Sequence, residues 1–251
     1  MSTNTFEQEL IRYINDYGFN KEHFQYSRYL EGHLDIGRFD KYFDMIEKFK
    51  PLKNSSVLEI GCGSGGTIEN LAKRGAKVSG IEIKDDLVRL SKMRASQFEG
   101  CSCIKADADT LPFPDKAFDV CSSMDLIEHL EDPEKHFKEM IRVLKPGGII
   151  SISTPNWYFH LERHTRFRFI HRFPLKWAKA YTRFIQGHKL FSEEYRQRLD
   201  SMHTLNGYYS VRSLKRLGNK FGLKILWYRP NLLNYNDAVI HMLFQKKEEK
   251  K

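Results

Sequence analysis

The sequence predicts an α/β fold: a seven-stranded, mostly parallel, doubly wound sheet with an antiparallel terminal hairpin, N-terminal helices before it and a helical insertion after strand five. Three observations predict it. Short apolar, β-branched runs alternate with stretches of 3.6-residue periodicity across the middle of the chain, as in a parallel sheet wound on both sides by right-handed crossovers. The first of those runs, Val57-Leu58-Glu59-Ile60, breaks into Gly61-Cys62-Gly63-Ser64-Gly65-Gly66 just before a helix-like segment. The last two runs, Leu223 to Tyr228 and Ala238 to Phe244, have no helical pattern between them and are expected to pair as an antiparallel hairpin.

Taken in order, residues 1–50 form an N-terminal helical cap. Phe6, Leu10, Ile14 and Tyr17 fall on one helix face, and Phe39, Tyr42, Phe43, Ile46 and Phe49 recur at helical spacing before Pro51. This cap is expected to pack on the core and cover one side of a ligand. Residues 51–155 form a cofactor-binding core. Its glycines allow a tight bend and close backbone approach, and a helix starting near Thr67 would offer its unpaired N–H groups to whatever sits above. A strand near 77–83, a helix from Asp85 to Phe98 and a third strand near 101–106 follow. Then come Asp107-Ala108-Asp109, the turn-rich Leu111-Pro112-Phe113-Pro114, a fourth strand Phe118 to Met124, a helix Pro133 to Leu144 and a fifth strand Gly148 to Ser153. Ligands of such open sheets bind beyond the carboxyl ends of the strands, where the winding reverses.

Residues 156–209 break this pattern and read as a helical insertion and acceptor cap. Trp157 to Leu190 hold nine aromatic residues and eight Lys/Arg against the single acid Glu162, a local balance of +7. Residues 210–251 return to the core, with a helix Val211 to Phe221 and the terminal hairpin.

At 251 residues, 41% hydrophobic, the chain can bury a real core, and its net charge of +9 suits nucleic acid, anionic lipid or an acidic substrate without selecting one. Cys62, Cys101, Cys103 and Cys121 read as buried free thiols. Cys101 and Cys103 alternate onto one strand face, but no second pair or His cluster completes a metal site. The N-terminus lacks the pattern of a signal peptide, and no window approaches a membrane-spanning length, so a cytoplasmic protein is expected.

The glycine spacing alone is ambiguous. Gly61, Gly63 and Gly66 fit the dinucleotide pattern, while Glu59, Gly61, Gly63 and Gly65 fit an E-x-G-x-G-x-G form. Three acids stand at the ends of the first three strands, Glu59, Glu82 and Asp107, and are expected to converge on one ligand. Glu82 lies about 20 residues past the bend, where a carboxylate can accept bonds from ribose hydroxyls. Together with the terminal hairpin, this arrangement resembles the class I S-adenosylmethionine-dependent methyltransferases. It is most similar to their small-molecule branch, which includes the quinone-biosynthesis enzymes. The resemblance covers residues 52–155 well and the hairpin loosely.

That resemblance implies S-adenosylmethionine as cofactor and a Rossmann-like core. It implies that Glu59, Gly61, Cys62, Gly63 and Gly65 belong to the motif whose backbone cradles the methionine part. It makes Glu82, with Ile83 beside it, the ribose-binding site; Asp107 and Ala108 the adenine contacts; Met124 and Asp125 the segment lining the sulfonium; and Lys145-Pro146-Gly147-Gly148 a structural turn. Methyl transfer then needs alignment of a nucleophile in line with the methyl carbon and exclusion of water. In Asp125-Leu-Ile-Glu128-His129, Asp125 and His129 are expected to share a helix face, and His129 is the candidate base, with the alternative that it packs or bonds to backbone.

The acceptor is expected to be a small molecule, lipid-like or acidic, gripped by the insertion, with contact to a membrane surface a further use of its basic aromatic face. An RNA methyltransferase is the alternative that a basic aromatic patch suggests. It is disfavoured because Ser122-Ser123-Met124-Asp125 stands where base-flipping relatives carry Asn/Asp-Pro-Pro-aromatic. A nicotinamide dehydrogenase would leave Asp107 and the hairpin without purpose, and a non-catalytic cofactor-binding scaffold would leave the acids unexplained. Oligomeric state is not legible.

Overall fold

The computed structural model describes residues 3–18, 21, 26–159, 173–187, 205–230 and 237–248. Its centre is one seven-stranded sheet of order β3-β2-β1-β4-β5-β7-β6. The strands are β1 Ser56–Ile60, β2 Lys77–Glu82, β3 Ser102–Lys105, β4 Phe118–Met124, β5 Leu144–Pro155, β6 Lys224–Arg229 and β7 Val239–Gln245. The first five run parallel, and β7 pairs antiparallel with both β5 and β6. The terminal hairpin and the parallel core therefore stand as the sequence predicts. Residues 231–236, between β6 and β7, lie outside the described residues.

Burial on both faces explains why the central strands read as nearly continuous apolar runs. Leu58 and Ile60 of β1 look to one side. There Phe137, Met140 and Val143 of α6 (Pro133–Val143) and Leu214 of α8 (Val211–Lys220) close a core with Ile150, Ile152, Met242 and Phe244. Val57 looks to the other side. It packs with Tyr42, Phe43 and Ile46 of α3 (Asp40–Glu47), Ile68 and Leu71 of α4 (Gly66–Lys73) and Val88 of α5 (Asp85–Ala95). A third cluster joins Phe6, Leu10 and Ile14 of α1 (Thr3–Asp16) to Leu87 and Leu90 of α5, with Leu30 of α2 (Tyr26–Leu34) against it.

Residues of α1 to α3 thus pack on the core, although Tyr17 and Phe49, expected on the apolar helix faces, are exposed. α5 ends three residues early, at Ala95, with turns carrying the chain to Phe98. β5 begins earlier than expected because Leu144 already pairs with Phe118, and a bulge between Phe118 and Val120 draws Lys145-Pro146-Gly147-Gly148 into the strand. Cys101 lies just before β3, and the two thiols meet different partners: Cys101 the Ala76 carbonyl, Cys103 the Cys62 sulfur. Of the expected insertion, the helix α7 (Leu175–Gly187) is described, and residues 160–172 and 188–204 lie outside the described residues.

Gly218 shows how tightly α8 meets the sheet: a Cβ there would sit 2.2 Å from Cε1 of the fully buried Phe244 ring. Gly218→Ala would gain about 1 kcal/mol of helix propensity but incur an overpacking cost of about 1–3 kcal/mol. The clash wins. A net loss of stability, seen as a lower denaturant midpoint at unchanged slope, is the expected outcome; a rise in midpoint would contradict this packing.

Candidate functional site

The site is built where β1 gives way to α4. The amides of Gly61 and Cys62 both donate to the Ile81 carbonyl, at 2.9 and 3.0 Å, so the chain leaves the sheet pinned to the end of β2. Two glycines then have distinct reasons to be glycine. Gly63 has φ +54 and open space within 4 Å where a Cβ would point, a cradle free of side chains. Gly65 has φ +85, and its missing Cβ would lie 2.9 Å from the Ser91 Cα, so α4 and α5 could not pack as they do with any larger residue. α4 follows at once from Gly66, and its first-turn amides face the bend's side.

Glu82, the last residue of β2, is buried and ties the bend together. Its Oε2 accepts from the Gly63 amide at 3.1 Å, and its Oε1 accepts from Ile83 N at 2.8 Å and Lys84 N at 3.0 Å. Ile83 itself is exposed beside it. Beyond β3, Asp107 is exposed and folds its Oδ1 back onto the Asp109 amide at 2.8 Å. The carbonyl of Ala108 is fixed from beneath by His136. Because that oxygen can only accept, His136 Nδ1 carries the proton, and Nε2 accepts from Ser123 Oγ; both contacts are 3.2 Å. Burial pushes the His136 pKa down to about 4, so the ring is neutral.

Glu59 is placed differently from its expected position. It lies within β1 between Gly80 and Ser122, fully buried, on the Val57 side of the sheet rather than at an exposed strand tip. Burial raises its pKa to about 8, and the Ser122 and Thr67 hydroxyls, which face it without closing a hydrogen bond, offset this only in part. Glu82 holds the bend, Asp107 lies beyond the end of β3, and Glu59 is buried within β1. Cys62 is buried, with its sulfur 3.3 Å from Ser91 Oγ and 3.6 Å from Cys103 Sγ. The Cys103 contact and burial push its thiol up, which makes a thiolate unfavourable there.

At the end of β4, Met124 is buried, in the same core cluster as Cys62 and Ile68. Asp125 turns into the left-handed region, φ +52, which an Asp tolerates better than most residues. The expected shared helix face with His129 is corrected. Asp125 precedes the helical segment, which is a single 3-10 turn, Ile127–His129, too short and too tightly wound to align the two. The Asp125 carboxylate instead accepts from Ser153 Oγ at 2.9 Å and Arg38 Nη2 at 2.7 Å. His129 is half-buried, and its carbonyl accepts from Asn206 Nδ2 at 2.6 Å.

Three further residues at the site were not singled out from the sequence. Arg38, in the 3-10 turn Ile36–Phe39, and His33, at the end of α2, bring the cap onto the bend. His33 Nδ1 lies 3.0 Å from Ser64 Oγ, and its pKa falls to about 4 through burial, with Arg94, Arg38 and Lys84 adding to the shift. Glu128 is buried: its Oε2 accepts from Thr154 Oγ1 at 2.9 Å, and its carbonyl accepts from the amides of Asn206 and Gly207. It also acts on Tyr209, whose phenol is pushed up to about 12 by burial and by the Glu128 charge. Helical periodicity placed residues 26–50 over the core, but it carries no sign of which polar side chains turn inward; for Glu128 the Glu-His pair was the available signal.

Residues 58–152 match the family described as "Methyltransferase domain". A ubiquinone biosynthesis O-methyltransferase of Coxiella burnetii is 35% identical over 123 residues, covering 48% of this chain and 52% of that protein. Phosphoethanolamine N-methyltransferase 1 of Zea mays is 33% identical over 128 residues, 49% of this chain and 25% of that one. The chain thus spans about half the length, or less, of the curated relatives it matches. Among solved structures, a SAM-dependent methyltransferase from Aquifex aeolicus superposes with a TM-score of 0.56 at 14% identity, covering 84% of this chain and 93% of that one. One from Mesorhizobium loti gives 0.59 at 16%, covering 84% and 100%. At such identities these two establish the fold.

Burial of Glu59 makes a pH prediction. An acid raised from 4.5 to about 8 contributes stability that is complete below pH 4.5 and is lost as pH rises through 8. His33 and His136, lowered from 6.5 to about 4, act oppositely: their contribution is present above pH 6.5 and lost as pH falls through 4. Glu59→Gln is therefore expected to remove the fall in stability between about pH 4.5 and 8, gaining on the order of 1–3 kcal/mol over the wild type near pH 9 in denaturant titrations. Profiles that run parallel between about pH 5 and 8 would show that Glu59 is not held protonated.

Proposed function

We propose that this chain, whose residues 58–152 match the methyltransferase domain family, is a class I S-adenosylmethionine-dependent enzyme that moves a methyl group to a small-molecule acceptor by in-line displacement. One observation carries the reading. Glu82 reaches across from β2 to hold the Gly63 amide beside a bend whose glycine leaves open space above it, a cradle with a fixed acid at its rim. These residues fit an adenosyl group. Glu82 would hold a ribose hydroxyl through its Oε2, with Asp107 and the His136-braced Ala108 at the base edge and the backbone of Gly61 to Gly65 at the amino-acid end. When bound, S-adenosylmethionine supplies a methyl group on a sulfonium, with its leaving group built in.

The chain's own task is then position and dryness. Arg38 and Ser153 hold the Asp125 carboxylate at one rim of the site, and His33 on Ser64 seats the N-terminal cap over the glycine bend. The acceptor would enter between that cap, Thr154 to Asn156 and the segment leading to Tyr209, where Asn156 and Tyr209 already bridge. We assign His129 the role of taking the acceptor's proton where the acceptor is a hydroxyl, since an imidazole can do so near neutral pH. The O-methyltransferase relatives support a hydroxyl acceptor, and the basic aromatic insertion supports one that is lipid-like or acidic.

Two measurements separate binding from chemistry. Glu82→Gln is expected to weaken S-adenosylhomocysteine binding about tenfold or more in a calorimetric titration; an unchanged affinity removes Glu82 from the site. His129→Asn is expected to leave that affinity intact while slowing label transfer from S-adenosylmethionine by about a hundredfold or more. Normal turnover would return His129 to a packing role.

A further inference from the structure

We propose that the outer face of α7 is a docking surface for an anionic lipid bilayer. The helix has three faces with different chemistry. Ala178, Thr182 and Ile185 are buried, the first against Leu205 with Leu175 and Tyr208 beside it, and they anchor the helix to the protein. Trp177, Tyr181 and Phe184, spaced four and three apart, lie along a second line and are 70%, 56% and 62% exposed; Phe173, just before the helix, is 63% exposed. Lys176, Lys179 and Arg183, spaced three and four apart, occupy a third line, and the helix contains no acid, so it carries +3.

An aromatic stripe this open is not a core remnant, because the helix already has a buried face. Nor is it ordinary surface scatter, since four of the ten exposed large hydrophobic residues among the described positions fall within residues 173–184. Trp and Tyr favour the zone where a bilayer meets water, and Lys and Arg stems can lie along the apolar layer while their charges reach headgroups. Charge sets the kind of lipid. The helix carries +3 and no acid in a chain of +9, which complements an anionic surface rather than a neutral one. With thirteen residues the helix is roughly 20 Å long, short of a bilayer's hydrocarbon thickness, so it lies in the interface plane. No helix among the described residues is long and apolar enough to cross a membrane.

The docking surface stands on α7 alone; its consequence, presentation of a membrane-resident acceptor to the site, rests on the proposed methyl transfer. The test is co-sedimentation of the full chain with vesicles of phosphatidylcholine and of phosphatidylcholine mixed with phosphatidylglycerol. Binding to the mixed vesicles is expected to be about tenfold tighter or more than to neutral ones and to weaken as salt rises. Replacing Trp177, Tyr181 and Phe184 together by Ser should lower it by about tenfold or more. More than half of each of these side chains is exposed, so the melting temperature should shift little and calorimetric S-adenosylhomocysteine binding should hold, which keeps failure of docking distinct from failure of the cofactor site. Three outcomes overturn the proposal: no binding to mixed vesicles, equal binding by wild type and triple variant, or loss in the triple variant of RNA retention or self-association rather than of vesicle binding.

Discussion

One carboxylate holds the binding end of this protein in shape. Glu82 ends β2, and because Ile60 pairs with Ile81 in parallel register, it emerges directly beside the point where β1 turns into the glycine bend. Its two oxygens receive three backbone amides, one from the bend and two from its own strand's exit. Bonds to a charged acceptor contribute about 1.5–3 kcal/mol each, far more than a neutral turn contact, so the bend is fixed before any ligand arrives. The geometry also limits what a ligand can take. Oε1 already serves two donors, while Oε2 serves one and keeps lone-pair capacity for another hydroxyl.

The N-terminal cap is tied to the same bend from outside. Arg74, at the end of α4, reaches Asp40, Asp44 and Glu47 of α3, while Asn70 bonds the Ile36 carbonyl and Asp40. Isolated surface pairs of this kind contribute little, but a mostly buried guanidinium shared by three acids is a network with fixed geometry. Arg94 makes the second tie. Buried in α5, it donates to the His33 carbonyl, approaches Glu69 and lies 4.3 Å over the Phe6 ring. Both arginines rise from helices that flank the bend, so the cap's position follows the bend's position, and Arg38 and His33 arrive at the site as a result.

The sheet was legible because its information is local. Strand runs, helical periods and the glycine bend each fall within a dozen residues, and the missing helix before β7 announced the hairpin. The terms that escaped were those decided across the fold. Glu59 and Glu82 look alike as strand acids. Yet pairing puts Glu59 between Gly80 and Ser122 in mid-strand, whereas Glu82 is the last residue of its strand. Asp125 and His129 stand four apart, a helical spacing, but Asp125 adopts φ +52 to meet Ser153 and Arg38, and that single dihedral ends the helix before it starts. Arg38 and His33 are ordinary cap residues until α3 is clamped to α4; no pattern within residues 26–50 states that.

The distinction between Glu59 and Glu82 decides the electrostatics of the bend. Three ionised acids would repel one another and press charge into the underside of α4. With its pKa near 8, Glu59 is mostly neutral at pH 7 and acts as a polar filler between Thr67 and Ser122. The fixed negative charge near the bend is then carried above the sheet by Glu82 and Asp107, with Asp125 matched by Arg38 on the opposite rim. In the proposed site a ligand with hydroxyls and an amine edge would meet the acids on one side and the compensated Asp125 on the other. An acid inside a strand and an acid at its tip thus do different work: burial holds the first neutral, while the second meets the bend's amides where a ligand can reach it.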